Sequence, residues 1–337
     1  MEIEAVAYSR AGLAGNPSDG YFGKIVSFIV RDFHATVTLT ESDRMEIVPS
    51  EEDCPVYDSL EDMTRTIQVQ GFYGGERLMK AAILRFVGYC DTNGLKLNDR
   101  RFALRYRSTI PRCVGLAGSS ALITATLRAL MRFYEVEIPK PILASLILGV
   151  ENEDLGISGG LHDRVIQVYE GCVFMDLEKE HLEQHGYGRY EDLNVDLLPK
   201  VYIAYRTDLA EGSEVFHNTI RDKWLRGDRV ITDAMHTFAE YAQEIRDLLV
   251  AGRGSEIGPW VDKNFNLRRS LYALSPGDLE MVDRARSVGA SAKFCGSGGA
   301  IVGTYENEKA YKQLEKVYAG TGTVVMKPTI RPESTSS

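Results

Sequence analysis

The sequence predicts an α+β fold, with strands and helices grouped in separate parts of the 337-residue chain. Strand patterns come first and helical patterns dominate later, without the regular alternation that a doubly wound parallel sheet requires. The first strand-to-helix turn also lacks the G-x-G-x-x-G signature of dinucleotide-binding folds, which has an acid about twenty residues further on. Both observations argue against a Rossmann-type sheet and favour an α+β arrangement.

Strand patterns open the chain. Apolar and polar residues alternate over Glu2–Ser9, which predicts a half-buried strand, and a glycine-broken segment follows it. Two apolar runs, IVSFIV and FHATVTLT, flank the polar pair Arg31-Asp32, which predicts a hairpin there. Helical spacing over 75–89 predicts a helix, and alternation over 101–108 predicts a return to strand.

The second half of the chain mixes helices with short strands. A helix is predicted inside GLAGSSALITATLRALMRFY, a second mostly apolar helix over Ile138–Asp154, and a strand at CVFMDL. The polar stretch Glu178–Asp196 is expected to be a linker or a surface excursion, and we place a domain boundary there. Further elements are expected as a strand at Lys200–Tyr205, helices up to Ser287, two strands around the CGSGG turn, a helix near Asn307–Tyr318 and a strand at TVVMKP. The expected units are 1–190, 191–330 and a disordered tail at 331–337.

Composition and charge narrow the classes of function. The chain has 39 Lys and Arg against 48 Asp and Glu, a formal net charge of −9. Such a chain has no overall attraction for nucleic acid or an anionic membrane, and we expect neither as a partner. The apolar stretches fall short of the ~18–20 residues of a membrane span, and the acidic start MEIEAVAYSR disfavours a signal peptide, so we expect a cytoplasmic protein.

Cysteine and histidine spacing suggests no disulfide or metal framework. The five cysteines are an odd number and lie far apart in sequence, which argues against disulfides and zinc knuckles. His181 and His185 have the i,i+4 spacing of helical metal ligands, but HLEQHGYG is polar and broken by glycine, so an exposed helix end is expected. Cys295 has no histidine near it in sequence and is expected to be a buried packing residue.

The segment 110–130, IPRCVGLAGSSALITATLRAL, carries the strongest chemical signal. Gly115 and Gly118 let the backbone approach a ligand, Ala117 does not obstruct it, and two serines lead straight into a helix. A helix N-terminus of this kind presents N–H groups and a positive dipole end to an anion, so a phosphate chain is the natural guest. The alternative is an ordinary helix cap after a tight turn. The loop is not a Walker A motif, because it has no lysine before the hydroxyl residues.

The run 111–121, PRCVGLAGSSA, resembles the second motif of the GHMP kinases, the superfamily of galactokinase, homoserine kinase and mevalonate kinase. Two further motifs occur in the order the superfamily requires, RAGLAGNPSD at 10–19 and KFCGSGGA at 293–300. The resemblance therefore covers almost the whole chain. It implies an N-terminal domain like domain 2 of ribosomal protein S5, a ferredoxin-like C-terminal domain, and ATP with Mg²⁺ bound in the cleft where the substrate meets it.

Within the superfamily, the sequence is most similar to the glucuronokinases. The segments that carry this likeness are GNPSDGYFGK, IPRxxGLAGSSA and GLHDRVIQVYEG, whereas galactokinases have a GEHTDY-like first motif. The resemblance implies ATP-dependent phosphorylation of the anomeric hydroxyl of D-glucuronate, with a small sugar or sugar acid and ATP as the partners. The alternatives are a kinase for another sugar, of galactose, arabinose or heptose type, and a non-catalytic sugar- or nucleotide-binding relative.

The resemblance also implies roles for individual residues. Glu151 and Asp163 are 12 residues apart across a glycine-rich turn that can bring both carboxylates to one pocket. The matching family residues hold magnesium and orient, or deprotonate, the substrate hydroxyl. A carboxylate beside cations stays ionised, so positioning is expected to matter more than proton removal. Arg10, at a strand end, could direct a permanent cation at the transferred phosphoryl group, with an ordinary exposed cation as the alternative.

The remaining expectations follow the same motifs. Asp19 is expected to accept sugar hydroxyls, although its segment also fits a plain β-turn, and His162 is expected to pack or form a hydrogen bond. ATP is expected to contact Pro111, Gly115, Leu116, Ala117, Gly118, Ser119, Ser120 and Ala121. The metal is expected at Ser119, Ser120 and Glu151, and the substrate at Asp19, Tyr21, Gly296, Ser297 and Gly298. A substrate carboxylate could bind Arg112, Lys24 or Arg164, and spacing does not choose among them.

Overall fold

Two β-sheets organise the protein, one in each half of the chain. The computed structural model describes residues 1–49, 53, 57–70, 74–207 and 214–332, with side chains outside 66–70 and 214–219. The strands are β1 Glu2–Ala14, β2 Lys24–Glu41, β3 Glu46–Ile47, β4 Phe102–Ser108, β5 Cys172–Asp176, β6 Arg189–Leu193, β7 Val201–Tyr205, β8 Lys293–Phe294, β9 Ala300–Thr304 and β10 Val324–Met326. The helices are α1 Leu60–Gln70, α2 Gly75–Thr92, α3 Gly118–Tyr134, α4 Lys140–Gly149, α5 His162–Tyr169, α6 Lys179–His185, α7 Glu214–Leu225, α8 Arg229–Val250, α9 Gly258–Leu271, α10 Pro276–Ser287 and α11 Glu308–Tyr318.

The first sheet is built around the long strand β2. Its order is β3-β4-β2-β5-β6, and β1 pairs with β2 in addition. The C-terminal part of β2 pairs with β4 and its N-terminal part with β5, both antiparallel. Helices α3 and α5 pack against β1 and β2, and α2 packs on α3. Nearly every residue of α3 from Ser120 to Leu130 is buried, as its almost continuous apolar sequence predicts.

The predicted hairpin at Arg31-Asp32 is wrong. Strand β2 runs through this pair, and the pairing with β1 shifts there, from Tyr8 opposite His34 to Ser9 opposite Val30. The extra residues form a bulge whose polar groups meet the C-terminal segment. The Arg31 N–H donates to the Thr329 carbonyl at 2.8 Å, and the Thr329 N–H donates to Asp32 Oδ2 at 2.7 Å. A polar pair between apolar runs therefore marks a bulge here and not a turn.

The expectation of a linker at Glu178–Asp196 is also wrong in part. This stretch contains α6 and then β6, which pairs antiparallel with β5 over the full length of both strands. The predicted boundary at residue 190 falls inside β6, so the first sheet extends to Leu193. The polar composition reflects an edge strand, whose exposed side needs no apolar residues.

The second sheet has the order β10-β7-β9-β8, and helices α9 and α11 pack against its strands. The predicted strands on either side of the CGSGG turn are confirmed as β8 and β9, and the predicted helix near Asn307–Tyr318 is α11. Helices α8 and α9 pack back against β2 and β1. Ala242 and Ile245 of α8 belong to the same buried cluster as the core of the first sheet, so the two halves share one continuous interior.

Four smaller expectations concern membrane spans, cysteines, two histidines and the tail. No helix in the described part of the chain is long and apolar enough to cross a membrane. The described cysteines, Cys90, Cys113, Cys172 and Cys295, are free, and Cys295 is buried. His181 and His185 lie on α6, which has no buried residue. The tail predicted as disordered lies outside the described residues from 333 onwards.

Replacing Gly303 by alanine should destabilise the fold strongly. A Cβ at this position of β9 would overlap the carbonyl oxygen of Ser291, which is backbone and cannot move aside. We expect Gly303→Ala to lower the free energy of unfolding by about 3 kcal/mol, the upper range for overpacking. The measurement is chemical denaturation followed by circular dichroism.

Gly88→Ala is the matched control. Gly88 is exposed on α2, and an added Cβ there would meet no atom within 4 Å. Alanine is the better helix former, so this change should stabilise by about 0.5–1 kcal/mol. Similar effects from the two changes would contradict the assigned packing of β9.

Candidate active site

The predicted phosphate loop, residues 110–117, lies directly before α3. Cys113, Gly115 and Ala117 all have left-handed backbone, with φ values of 56°, 68° and 63°. Two of these are not glycines, and non-glycine residues adopt this conformation only at a cost. A Cβ at Gly115 would lie 2.8 Å from the Gly298 carbonyl oxygen. The glycine is therefore required where the loop touches the CGSGG turn of the second half.

The two serines at the start of α3 have different surroundings. Ser120 is fully buried, and its hydroxyl donates to the Ala117 carbonyl at 3.2 Å. The Ser119 hydroxyl donates to Glu151 Oε1 at 2.9 Å and lies at the mouth of the loop. Of the two predicted metal ligands, only Ser119 has its hydroxyl beside the predicted carboxylate ligand. Leu116 and Ala121 have buried side chains, and Pro111 is half-buried, so these three shape the loop.

Glu151 lies in a π-helical turn, Val150–Asp154, that continues α4. It is only 1% exposed, and Arg164 donates to its Oε2 through Nε at 2.8 Å and also through Nη2. Mg²⁺ is usually held by one or two carboxylates together with substrate phosphates and water. The Glu151 carboxylate and Ser119 hydroxyl fit that pattern.

Arg10 and Asp163 form the centre of the site. Arg10 Nε and Nη2 both lie 2.7 Å from Asp163 Oδ1, and Arg10 Nη1 donates to the Gly115 carbonyl at 2.6 Å. Burial alone would raise the pKa of Asp163, but the guanidinium groups of Arg10 and Arg164 hold it well below its usual range. Asp163 is therefore ionised at neutral pH and is a weak base. The predicted pairing of Asp163 and Glu151 occurs through Arg164, which contacts both.

His162 supports Asp163 from behind. It is buried, its Nε2 is hydrogen-bonded to the Ser27 hydroxyl, and its Nδ1 lies 3.4 Å from Asp163 Oδ1. Burial, reinforced by the charge of Arg10, lowers the pKa of His162 to about 3, so the ring is neutral. A Cβ at Gly12 would lie 2.8 Å from the imidazole Cε1, which explains the glycine there. His162 thus has the packing and hydrogen-bonding role that the sequence favours.

Asp19 and Tyr21 lie on a 3₁₀ turn, Ser18–Tyr21, between β1 and β2. Loss of solvent around the carboxylate, reinforced by the negative charge of Asp163, raises the pKa of Asp19 to about 6. Asp19 also packs against Gly160 of the glycine-rich turn before α5. Tyr21 is half-buried, with its ring centroid 5.5 Å from that of Trp224. Asp19 and Asp163 are both aspartates, and their pKa values differ widely because their neighbours differ.

The glycine turn of the third motif meets the other two motifs. A Cβ at Gly296 would lie 2.9 Å from Arg10 Nη2, and Asp278 accepts the Gly299 N–H at 2.9 Å. Arg268 of α9 donates to the carbonyls of Gly296 and Ser297 at 2.7 and 2.9 Å. The structure thus brings the predicted residues of all three motifs together, including Gly296, Ser297 and Gly298.

Sequence reasoning missed Arg268, Asn264 and Lys293. All three are buried, and Lys293 donates to the carbonyls of Gly12 and Phe294 and to Asn16 Oδ1. A signal was present in α9: its buried residues Val261, Asn264, Phe265 and Arg268 follow the i, i+3, i+4, i+7 spacing of one helix face. Polar residues on an otherwise apolar face are rarely buried without a specific role.

Of the three cations that the sequence offers for a substrate carboxylate, two already form ion pairs within the protein. Lys24, the first residue of β2, lies 3.3 Å from Asp176 and donates to Gln243 Oε1 at 2.8 Å. Arg164 is committed to Glu151. Arg112 is half-buried in the phosphate loop. Lys24 and Arg164 are therefore already paired within the protein.

Comparison with known proteins shows which family this chain resembles. A family model described as "GHMP kinases N terminal domain" matches residues 77–171. "Probable glucuronokinase 2" of Arabidopsis thaliana is 40% identical over 99% of this chain and 93% of its own length. "Glucuronokinase 1" of the same plant is 39% identical, over 89% and 84% respectively. A solved galactokinase of Lactococcus lactis in complex with galactose is 16% identical, with a TM-score of 0.74 over 98% of this chain and 93% of that one. The predicted α+β fold is confirmed, since it matches that of solved structures such as this galactokinase.

Removing the charge of Glu151 should destabilise the protein because the buried Arg164 then loses its closer carboxylate and keeps only Asp163, at 3.5 Å. We expect Glu151→Gln to lower the free energy of unfolding by about 3 kcal/mol. The control is Glu153→Gln in the same turn. Glu153 forms an exposed ion pair with Arg85, so its replacement should lower the free energy of unfolding by less than about 1 kcal/mol. Both are measured by denaturant unfolding.

A double replacement, Glu151→Met with Arg164→Met, separates pairing from packing. Replacing both charges by apolar groups of similar volume removes the unpaired cation, so stability should recover relative to Glu151→Gln. No recovery would mean that the glutamate stabilises the π-helical turn in some other way than through Arg164.

Proposed function

The chain belongs to the GHMP kinase family, and we propose that it is an ATP-dependent kinase that phosphorylates the anomeric hydroxyl of D-glucuronate. The observation that carries this proposal is Arg10, which links the phosphate loop, Asp163 and the third-motif turn at one point. The likeness to the glucuronokinases of Arabidopsis supports the choice of sugar.

The phosphate loop and the start of α3 would bind the nucleotide. The first N–H groups of a helix have no partners within the helix and carry the positive end of its dipole, so residues 118–120 suit the phosphates of ATP. Ser119 and Glu151 would hold the accompanying Mg²⁺, which supplies positive charge beside the phosphates. Ser120, with its hydroxyl donated to the Ala117 carbonyl, contributes its backbone to this role.

Asp163 would orient the hydroxyl that attacks. Its carboxylate accepts the hydrogen bond of the anomeric O–H, and the oxygen forms a bond to the γ-phosphorus as the bond from that phosphorus to ADP breaks. Because the pKa of Asp163 is low, the proton leaves the hydroxyl late and passes through Asp163 to solvent. Arg10 keeps the carboxylate in place and offsets the charge that spreads over the phosphoryl oxygens.

Asp19, Tyr21 and the 296–298 turn would line the sugar. An ionised Asp19 accepts two sugar hydroxyls, and the turn brings backbone close to the ring. We also propose that residues 1–190 and 191–330 act as the two functional units, with the site between the phosphate loop and the 296–298 turn. A cytoplasmic location is proposed, since that compartment supplies ATP.

ADP release over a panel of sugars tests the proposed function. With Mg²⁺ and ATP, we expect turnover with D-glucuronate to exceed that with glucose, galactose, arabinose and a heptose. Preference for one of the neutral sugars would favour the alternative of another sugar kinase. Tight sugar binding by calorimetry without any ADP release would favour a non-catalytic relative.

Replacing Asp163 by asparagine tests its role. We expect kcat with glucuronate to fall at least about 100-fold, because the ionised acceptor for the hydroxyl is lost. The KM for ATP should change less than about threefold, since Asp163 does not line the phosphate loop. Asp283→Asn, at an exposed position on α10, is the control. A kcat within about threefold of the unmodified protein would remove Asp163 from the mechanism.

The acid side of the pH profile should report Asp19. Its pKa of about 6 in the folded protein means that it takes up a proton as the pH falls through 6, whereas Asp163 stays ionised and His162 stays neutral. Protonated Asp19 is a poorer acceptor of hydroxyls. We therefore expect kcat/KM for the sugar to drop about tenfold per pH unit below 6.

Asp19→Asn is the control for this profile, because it cannot ionise. ATP also takes up protons in this range, but the ratio of unmodified protein to variant at each pH cancels that contribution. The ratio should be constant above pH 7 and fall below pH 6. A ratio that does not change with pH would show that Asp19 does not titrate during sugar binding.

A further inference from the structure

Arg268 is a buried cation without an acidic partner. It lies on α9, is 5% exposed, and forms no ion pair with any described residue of the chain. Burying a guanidinium group costs free energy unless an anion compensates it. The other two buried arginines of the site follow that rule, since Arg10 is paired with Asp163 and Arg164 with Glu151.

The guanidinium group of Arg268 also has unused donors. Of its five N–H groups, one on each terminal nitrogen donates to a carbonyl of the 296–298 turn. Its Nε is buried and has no acceptor in the described part of the chain. The rings of Tyr272 and Phe294 lie 5.3 and 5.1 Å from the guanidinium carbon, which holds the group in place. A fixed cation with unused N–H groups suits a planar carboxylate.

Arg268 lies on the sugar side of the site. Gly296 contacts Arg10 and accepts from Arg268, so the two arginines flank the same residue of the turn. Arg10 is bound to Asp163, which would meet the reacting hydroxyl. Asp278 and Asp19 are both close enough to Arg268 to favour its charged form, although neither forms an ion pair with it. A sugar acid carries its reacting hydroxyl and its carboxylate at different ends, so the carboxylate needs a cation other than Arg10, which is bound to Asp163.

The other buried cation without an acidic partner does not offer this chemistry. Lys293 donates its three N–H groups to the Gly12 and Phe294 carbonyls and to Asn16 Oδ1, so none remains for a ligand. Burial also lowers the pKa of Lys293 well below its usual range, which weakens its charge. Arg221 of α7 is exposed, so it is not one of the buried cations of the site. Arg268 is therefore the buried cation of the site that retains donors.

We propose that Arg268 binds the carboxylate of the substrate and so selects sugar acids over neutral sugars. This rests on the proposed function, because it assigns a residue to the acid group of that substrate. The carboxylate supplies the missing counter-charge of Arg268. A neutral sugar leaves the buried guanidinium without a direct ion pair, so discrimination arises from the lost ion pair and the unpaired N–H groups together.

The test is the ratio of kcat/KM for glucuronate to that for glucose. We expect Arg268→Gln to lower kcat/KM for glucuronate about 100-fold, mainly through KM, and to change the value for glucose less than about threefold. Arg268→Lys keeps the charge but not the fork of donors, and should retain part of the preference. Glucuronate affinity measured by calorimetry should fall in the same order.

Arg286→Gln is the matched control. Arg286 also packs on an aromatic ring, Phe265, and donates to backbone carbonyls, but it is paired with Asp262. Its replacement should leave the substrate ratio unchanged. A parallel loss for both sugars in Arg268→Gln and Arg268→Lys would overturn the proposal, since it is the result expected if Arg268 only shapes the glycine turn.

Other outcomes separate this proposal from the proposed function. If the unmodified protein phosphorylates a neutral sugar as well as glucuronate, it is a sugar kinase but Arg268 selects no acid, and the proposal is overturned. If no sugar is phosphorylated, the proposed function fails, and calorimetry still decides the role of Arg268. Glucuronate binding that is weakened by Arg268→Gln but not by Arg286→Gln would support it.

Discussion

The contacts of Arg10 are the constraint on which the site depends. A single guanidinium group within β1, which continues four residues beyond the strand end that the sequence predicted for Arg10, reaches Asp163 of α5, the Gly115 carbonyl of the phosphate loop and the Cys295 carbonyl before the third glycine turn. These segments are far apart in sequence and would otherwise have no common reference point. Because the planar group has fixed donor directions, it sets their positions relative to one another. Three motifs that are separate in the chain are thereby held at one place in the structure.

Ionisable side chains are concentrated at the site and are largely removed from solvent. The whole chain carries a formal net charge of −9, yet four basic side chains are buried here, Arg10, Arg164, Arg268 and Lys293, together with the acids Asp163, Glu151, Asp19 and Asp278. A largely dry environment strengthens each interaction between these charges and a charged ligand. The same environment gives Asp163 and Asp19 different pKa values. Asp163 is held ionised by two arginines, while Asp19, with less compensation, has a pKa near 6.

The sequence predicted local features well and tertiary ones poorly. Segment 110–130 was predictable because glycine, small residues and a helix start occur together, and each has a local physical reason. The bulge at Arg31-Asp32 was not, since its polar groups are satisfied by Thr329, almost 300 residues later. Strand β6 was missed because an edge strand needs little apolar sequence. Arg268 lay within a helical pattern that was predictable, but its place in the site depends on its bonds to the 296–298 turn, which the helix pattern does not encode.

The polar contacts across the two halves argue for a site that is assembled before substrate arrives. Asn264 accepts the Gly15 N–H at 2.7 Å and donates to the Asn16 carbonyl at 3.2 Å, and the Gly12 N–H donates to the Cys295 carbonyl at 2.9 Å. All are buried, so separating the halves at this point would expose unpaired polar groups within a dry interior. Any opening of the cleft must therefore spare these bonds. The first motif and the third would then move as one body, and the entropy of arranging them is spent in folding instead of in each catalytic cycle.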